Sequence, residues 1–262
     1  MDLNLAGRHA LVCGASEGIG RAAAHELALL GADVTVLARR ADVLKEVASA
    51  LPEVASAQQH DIIVTDLADA AALRETIGAL AVDRPVHILV NNAGGPPGGR
   101  AIDAIADDYL AAFQRHLLAN QLLAQLTVPG MRANGWGRII NVVSTSVKEP
   151  IANLGVSNTI RGAVASWAKT LSKELGADGI TVNNVLPGYT RTQRLEQILR
   201  DRVVSTGKDE SAVSAAMLAS VPAGRFADAH EIAAAIAFLA SPAAGYITGV
   251  SLAVDGGRMQ SI

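Results

Sequence analysis

The chain has one cysteine, Cys13, in 262 residues. That excludes an internal disulfide and suits a reducing compartment. Aromatic residues are 3 % of the sequence, too few to build stacking platforms for nucleic-acid bases. Lysine and arginine together number 22 against 25 acidic residues. There is therefore no basic field for nucleic acid and no basic run for a membrane surface. No apolar run reaches the roughly 18 residues of a membrane span. The opening MDLNLAGRHALVCG is too polar for a signal peptide. A soluble, cytoplasmic protein that binds neither nucleic acid nor membrane is expected. No His, Cys or Asp cluster has metal-ligand spacing, so no metal is expected.

Hydrophobic residues, by contrast, make up 50 % of the chain, enough for a large core. Strand-like and helix-like segments alternate throughout. HALVCG (His9 to Gly14) enters a glycine turn, and a helical pattern runs from Gly18 to Leu30. DVTVLA (Asp33 to Ala38) is a β-branched strand, followed by helical patterns at Ala41 to Ala50 and Asp69 to Leu80. HILVNNAG (His87 to Gly94) is a strand ending in a polar turn. Long helical periodicity covers Asp103 to Ala133. RIINVVS (Arg138 to Ser144) is a strand, Asn158 to Leu175 a helix, and ITVNNVLPG (Ile180 to Gly188) a strand. Ala229 to Leu239 is helical, and VSLAVDGG (Val250 to Gly257) is a final strand. This alternation predicts one α/β domain over residues 1–262, a doubly wound parallel sheet with helices on both faces. Residues 191–225, rich in charge and serine, read as an irregular lid beyond a strand's carboxyl end.

GASEGIG places Gly14, Gly18 and Gly20 between the first strand and first helix. Glycines there permit a tight turn and close backbone approach, with a pyrophosphate over the helix N-terminus. The spacing is G-x-x-x-G-x-G, and the strand-turn-helix context is what gives it meaning. The next strand ends in LARR. A NAD site usually carries a carboxylate there for the ribose 2′-hydroxyl, and none is present. Arg39 and Arg40 can pair with a 2′-phosphate instead, which favours NADP(H) over NAD(H). Glu17, inside the turn, is mildly unfavourable beside a phosphate.

These residues resemble the short-chain dehydrogenase/reductase family. CGASEGIG is similar to its T-G-x-x-x-G-I-G turn, with Cys13 in place of Thr. NNAG (Asn91 to Gly94) matches the motif that steadies the central sheet. Asp66-Leu67 resembles the pair that contacts adenine; the helix follows it at a better distance than it does Asp61-Ile62. GRIINVVS leads to the family's catalytic serine, here Ser144. LPGYTRT resembles P-G-x-x-x-T, giving Pro187, Gly188 and Thr192. The C-terminal stretch from Gly224 to Gly257 is similar almost throughout. The resemblance implies cofactor contacts from Gly14, Ser16, Gly18, Ile19, Gly20, Arg39, Arg40, Asp66, Leu67, Asn92, Ala93, Gly94, Arg161, Pro187, Gly188 and Thr192. It also implies a homotetramer or homodimer through the long middle helices and the last strand.

The same resemblance exposes a departure. The family's tyrosine lies thirteen residues beyond the serine in Y-x-x-x-K, and the count from Ser144 reaches Ser157 and Arg161. Gly162-Ala163-Val164 and Ala168-Lys169 keep the register. The position of the family's asparagine holds His116. One of four catalytic positions is retained and three are replaced. A phenol, with a pKa near ~10, is a far better base than a serine hydroxyl. Alcohol oxidation should suffer most, while reduction generates an alkoxide that takes a proton readily. Arg161 stays charged and can still donate to ribose hydroxyls. His116, with an ordinary pKa near ~6.5, is a candidate acid, or else a packed helix histidine. Ser146 would point the same way as Ser144 on an extended strand end. Tyr189 and Lys148 read as a packed loop aromatic and a solvated lysine. GPPGGR (Gly95 to Arg100) reads as a stiff pocket wall. The expected activity is NADP(H)-dependent reduction of a small-molecule or acyl-thioester carbonyl. An imine or activated-alkene reductase, and a cofactor-binding sensor or assembly partner without catalysis, stand as alternatives.

Overall fold

The computed structural model describes residues 1–261. Seven parallel strands form one sheet in the order β3-β2-β1-β4-β5-β6-β7. β1 (His9–Cys13) leads into α1 (Gly18–Leu29), β2 (Asp33–Ala38), α2 (Ala41–Ser49) and β3 (His60–Val64). Then follow α3 (Ala70–Asp83), β4 (Ile88–Asn91), α4 (Ala106–Phe113) and α5 (Ala119–Ala133). β5 (Gly137–Val142), α6 (Gly155–Leu175), β6 (Ile180–Pro187), α7 (Gln193–Thr206), α8 (Glu210–Leu218), α9 (Ala229–Ala240) and β7 (Ser251–Val254) complete the chain. The chain order reverses between β1 and β4, which opens a crevice beyond their carboxyl ends.

The strands are apolar on both faces because both faces are covered. α1, α2 and α9 bury one face around Val12, Val34, Val36 and Ile236. α3, α5 and α6 bury the other around Leu11, Leu73, Leu123 and Ile139. Small residues, among them Ala23, Ala24, Ala28, Ala233 and Ala237, line the α1–α9 contact and let the two helices approach closely. Among the described residues no helix is long and apolar enough to cross a membrane.

Three expectations need correction. β3 was not expected, because HDIIV is half-exposed at the sheet edge and lacks the continuous apolar run of the central strands. The helical run at 103–133 starts at Ala106 and is interrupted by a π-helical turn at Gln114–Leu118. Residues 191–225 are mostly helical. Thr192 caps α7, Gly207 ends it in the left-handed region, and Asp209 caps α8. Leu195, Leu199, Val213, Met217 and Phe226 give these helices a small core of their own.

A row of amides crosses the sheet on the α5–α6 side. Asn91 Nδ2 donates to Asn141 Oδ1 at 2.8 Å, and Asn141 Nδ2 donates to Asn184 Oδ1 at 3.0 Å. Asn184 Nδ2 then donates to Ser251 Oγ at 3.1 Å. The register makes these residues direct neighbours on β4, β5, β6 and β7. Asn141 sits mid-row, so Asn141→Leu should strand two buried amides and cost about 2–4 kcal/mol. Denaturant unfolding measures this; a loss under about 0.5 kcal/mol would show that the row contributes little.

Candidate active site

The glycine turn is a cradle lined by backbone. Gly14 and Gly18 have φ of +59° and +55°. A Cβ on Gly14 would lie 2.6 Å from the Asn92 carbonyl oxygen, and one on Gly20 would collide with the Gly14 carbonyl. Asn92 Nδ2 donates to the carbonyls of Cys13 and Gly14, at 3.3 and 3.2 Å. Ile19 packs on the core below. Thr192 stands over Gly18: its Cγ2 would be 3.1 Å from a Cβ there. Only glycine fits at these close approaches, and the turn leads into the N-terminus of α1, where backbone amides can meet a pyrophosphate.

Charged groups ring this turn. Arg40 Nη2 donates to Glu17 Oε2 at 2.7 Å and to Ser16 Oγ at 3.3 Å. Arg39, largely exposed, has Nη1 3.8 Å from Asp66 Oδ2. Pairs this exposed are weak, so both guanidiniums are available to another anion. Asp66 is also held by the Ala68 amide at 2.9 Å, while Leu67 is buried in the core. Asp61 lies in β3 and pairs with Arg84 at 3.0 Å instead.

The substituted residues gather at the ends of β4 and β5. Ser144 is half-buried, and its Oγ accepts from the Ser146 amide at 3.1 Å. The chain then turns into a short 3₁₀ segment, Thr145–Val147, so Ser146 is not on an extended strand end as expected. Its Oγ is buried without a hydrogen-bond partner. Ser157 and Arg161 are both buried, one turn apart on the inner face of α6. Arg161 Nη1 donates to the Val142 carbonyl at 2.7 Å, and Nη2 to the Ala93 carbonyl at 3.4 Å. One guanidinium therefore ties the end of β5 to the Asn92-Ala93-Gly94 turn after β4. Beyond the end of β6, the Gly188 amide donates to the Val254 carbonyl at 2.9 Å. A Cβ on Gly188 would lie 2.7 Å from Asp255 Cα, so only glycine lets the chain past Pro187 turn toward Thr192.

His116 lies in the π-helical turn, buried at 3 % exposure. Burial, then the charges of Arg161 and Arg115, push its pKa down to about 2 against a hydrogen bond to the Gly94 backbone. The candidate acid is thus a neutral imidazole. The packed-histidine alternative is the one this burial supports; its cause, burial first and the charge of Arg161 second, depends on the fold. Burial, then the charge of Arg194, lowers the pKa of Arg161 to about 10, which leaves it charged at neutral pH.

Two cations escaped the sequence reading. Arg194, in the first turn of α7, is half-buried, and its Nη2 donates to the Pro96 carbonyl at 2.9 Å. Arg258 donates through Nη1 to Thr145 Oγ1 at 3.2 Å and lies 4.7 Å over the Tyr189 ring. The position of Arg194 two residues past Thr192 was the available signal. Tyr189 also packs edge-on against Phe226, and Lys148 is exposed. On the α1–α9 side, Glu26 Oε1 lies 3.0 Å from His230 Nδ1 and 3.7 Å from His25 Nδ1. This approach of possible metal ligands is hidden by their separation in sequence.

A family model described as enoyl-(acyl carrier protein) reductase matches residues 14–258. The chain is 35% identical over 257 residues to the 3-oxoacyl-(acyl-carrier-protein) reductase FabG of Vibrio harveyi, covering 97% of this chain and 98% of that one. YwfH, described as an NADPH dependent reductase involved in bacilysin biosynthesis, superposes with a TM-score of 0.92 at 29% identity, covering 97% and 99%. L-sorbose reductase from Gluconobacter frateurii, complexed with NADPH and L-sorbose, superposes with a TM-score of 0.92 at 30% identity over 100% of both chains.

Neutral buried histidines make the fold acid-sensitive. The pKa of His116 is lowered to about 2 and that of His9 to about 4, and that of His87 is also lowered, each from 6.5. The unfolded chain therefore binds more protons below pH 6.5, so stability falls as the pH drops through that value. His116→Gln should flatten the acid-side slope of unfolding free energy against pH. An unchanged slope would place His116 in a solvated, titrating environment.

Proposed function

The chain belongs to the short-chain dehydrogenase/reductase family, and from that premise we propose that it is an NADPH-dependent reductase acting on the carbonyl of a small or thioester-linked substrate. Membership makes it an oxidoreductase. The observation that carries the finer reading is the placement of Arg161. It is anchored to both the β4 turn and the β5 end, as a residue replacing the family's lysine must be. Its remaining N–H groups serve the nicotinamide ribose. The relatives named as 3-oxoacyl reductases and the NADPH-bound sorbose reductase support the substrate and cofactor classes.

NADPH, when bound, supplies the hydride. The chain's residues do the rest. Gly14, Gly18 and Gly20 leave backbone space for the pyrophosphate, and Arg39 and Arg40 meet the 2′-phosphate. Ser144 and Ser157 donate hydrogen bonds to the substrate carbonyl oxygen. Arg161 adds positive charge where the oxygen becomes negative. The resulting alkoxide is basic enough to take a proton from the Ser157 hydroxyl, which solvent restores. Oxidation of an alcohol would need a base with a pKa near about 7, and neither Ser157, Arg161 nor neutral His116 is one. The site therefore works toward reduction. α7 and α8 act as the lid, with Thr192 at its hinge over Gly18. The exposed Ile102, Ile105, Leu110 and Leu118 around α4, with Leu252 on β7, support self-association along these elements.

Ser157→Ala should lower turnover of NADPH by about 10- to 100-fold while leaving NADPH affinity within about twofold; an unchanged rate would remove Ser157 from the mechanism. Glu17 competes with a phosphate for Arg40 through an exposed ion pair. Glu17→Gln should therefore raise the preference for NADPH over NADH by about two- to fivefold, read as the ratio of their dissociation constants. A constant ratio would exclude Arg40 as the 2′-phosphate partner.

A further inference from the structure

Two guanidiniums, those of Arg161 and Arg194, hold one short stretch of backbone, through the carbonyls of Ala93 and Pro96. Arg161, at 9 % exposure, spends its hydrogen bonds on backbone carbonyls. Arg194 reaches in from the first turn of α7, where its Nε and Nη2 pass 3.6 Å from the Cβ position of Gly95. Pro96 and Pro97 stiffen the segment whose carbonyl holds Arg194 Nη2. Neither arginine has an ion-pair partner among the described residues. Asp201, two turns along α7, is the acid that acts on Arg194, and its Oδ1 accepts from Gln197 Nε2 at 2.7 Å. Arg258 is bound to Thr145 Oγ1, with its Nε buried and unpartnered. Glu149, the acid whose charged form Arg258 favours, accepts from the amides of Gln260 and Ser261.

The charge of Arg194 acts unfavourably on buried Arg161, as like charges in a partly buried site do. Such an arrangement persists where an incoming anion reverses the balance. We propose that Arg194, assisted by Arg161, forms an anion subsite that holds a substrate carboxylate, so that the preferred substrate is an oxo acid. This rests on the reading of the chain as a hydride-transferring reductase and gives that reading its substrate class. The guanidinium fork of Arg194 keeps donors beyond the one bound to Pro96, and they match the two oxygens of a carboxylate. The stiff proline segment pre-positions that fork, so little ordering remains to be done on binding. In the reaction, the hydride forms the new C–H bond and the carbonyl π pair moves to oxygen. The alkoxide then takes the Ser157 proton, leaving a hydroxy acid and NADP⁺.

The test compares an oxo acid with its own methyl ester, under saturating NADPH, in the wild-type protein and in Arg194→Met. The wild type should show at least about tenfold higher kcat/KM for the acid, and Arg194→Met should bring the acid-to-ester ratio close to one. Arg194→Lys, which keeps the charge but not the fork, should fall between. Equal use of acid and ester by the wild type would overturn the anion subsite and leave the reductase reading standing. A loss of NADPH affinity in Arg194→Met, with the acid-to-ester ratio intact, would also overturn it, because Arg194 would then serve a cofactor phosphate. Calorimetry adds a readout without turnover: the hydroxy acid should bind the NADP⁺ complex of the wild type, and at least about tenfold more weakly to that of Arg194→Met. If no substrate is reduced, the reductase reading fails and this binding difference alone decides the subsite.

Discussion

A charged guanidinium sits where the chain can least easily hold one, at the buried junction of two strand ends. Arg161 is tied to the carbonyls of Val142 and Ala93, so its position follows from the sheet itself. Those carbonyls lie just beyond β4 and β5, beside the crevice that the reversal of strand order creates. The rest of the site takes its character from that fixed positive charge. Ser157, one turn earlier on α6, is buried on the same face of that helix.

Burial first, and this charge second, keep the His116 imidazole neutral, and the π-helical turn holds it there. In the proposed reaction, proton supply then falls to hydroxyl groups and water, which serve an alkoxide well and an alcohol poorly. In the proposed anion subsite, Arg194 and Arg161 would be compensated by an anionic substrate and not by a neutral one.

Much of this was legible in the sequence, for physical reasons. The glycine turn, the NNAG segment and the Ser144-to-Arg161 spacing are backbone-level constraints, and each tolerates few alternatives. Central strands were readable because burial on both faces leaves mostly apolar, β-branched runs, interrupted by the paired asparagines. β3 was not, because an edge strand mixes His60 and Asp61 with Ile62 and Ile63. α7 and α8 were hidden by their polar surfaces, although Thr192 and Asp209 are plain capping residues. The ionisation of His116 and the approach of Arg161 and Arg194 to one turn were not legible at all. They depend on distances that only the fold supplies.

The central claim is that this site reduces its substrate without a titrating acid or base. Single-turnover hydride transfer from bound NADPH, followed across pH, tests it most directly. With Arg161 near 10 and His116 near 2, the rate should be flat between about pH 6 and pH 9. A rate governed by one group titrating near about pH 7 would contradict the account and restore a general acid to the mechanism.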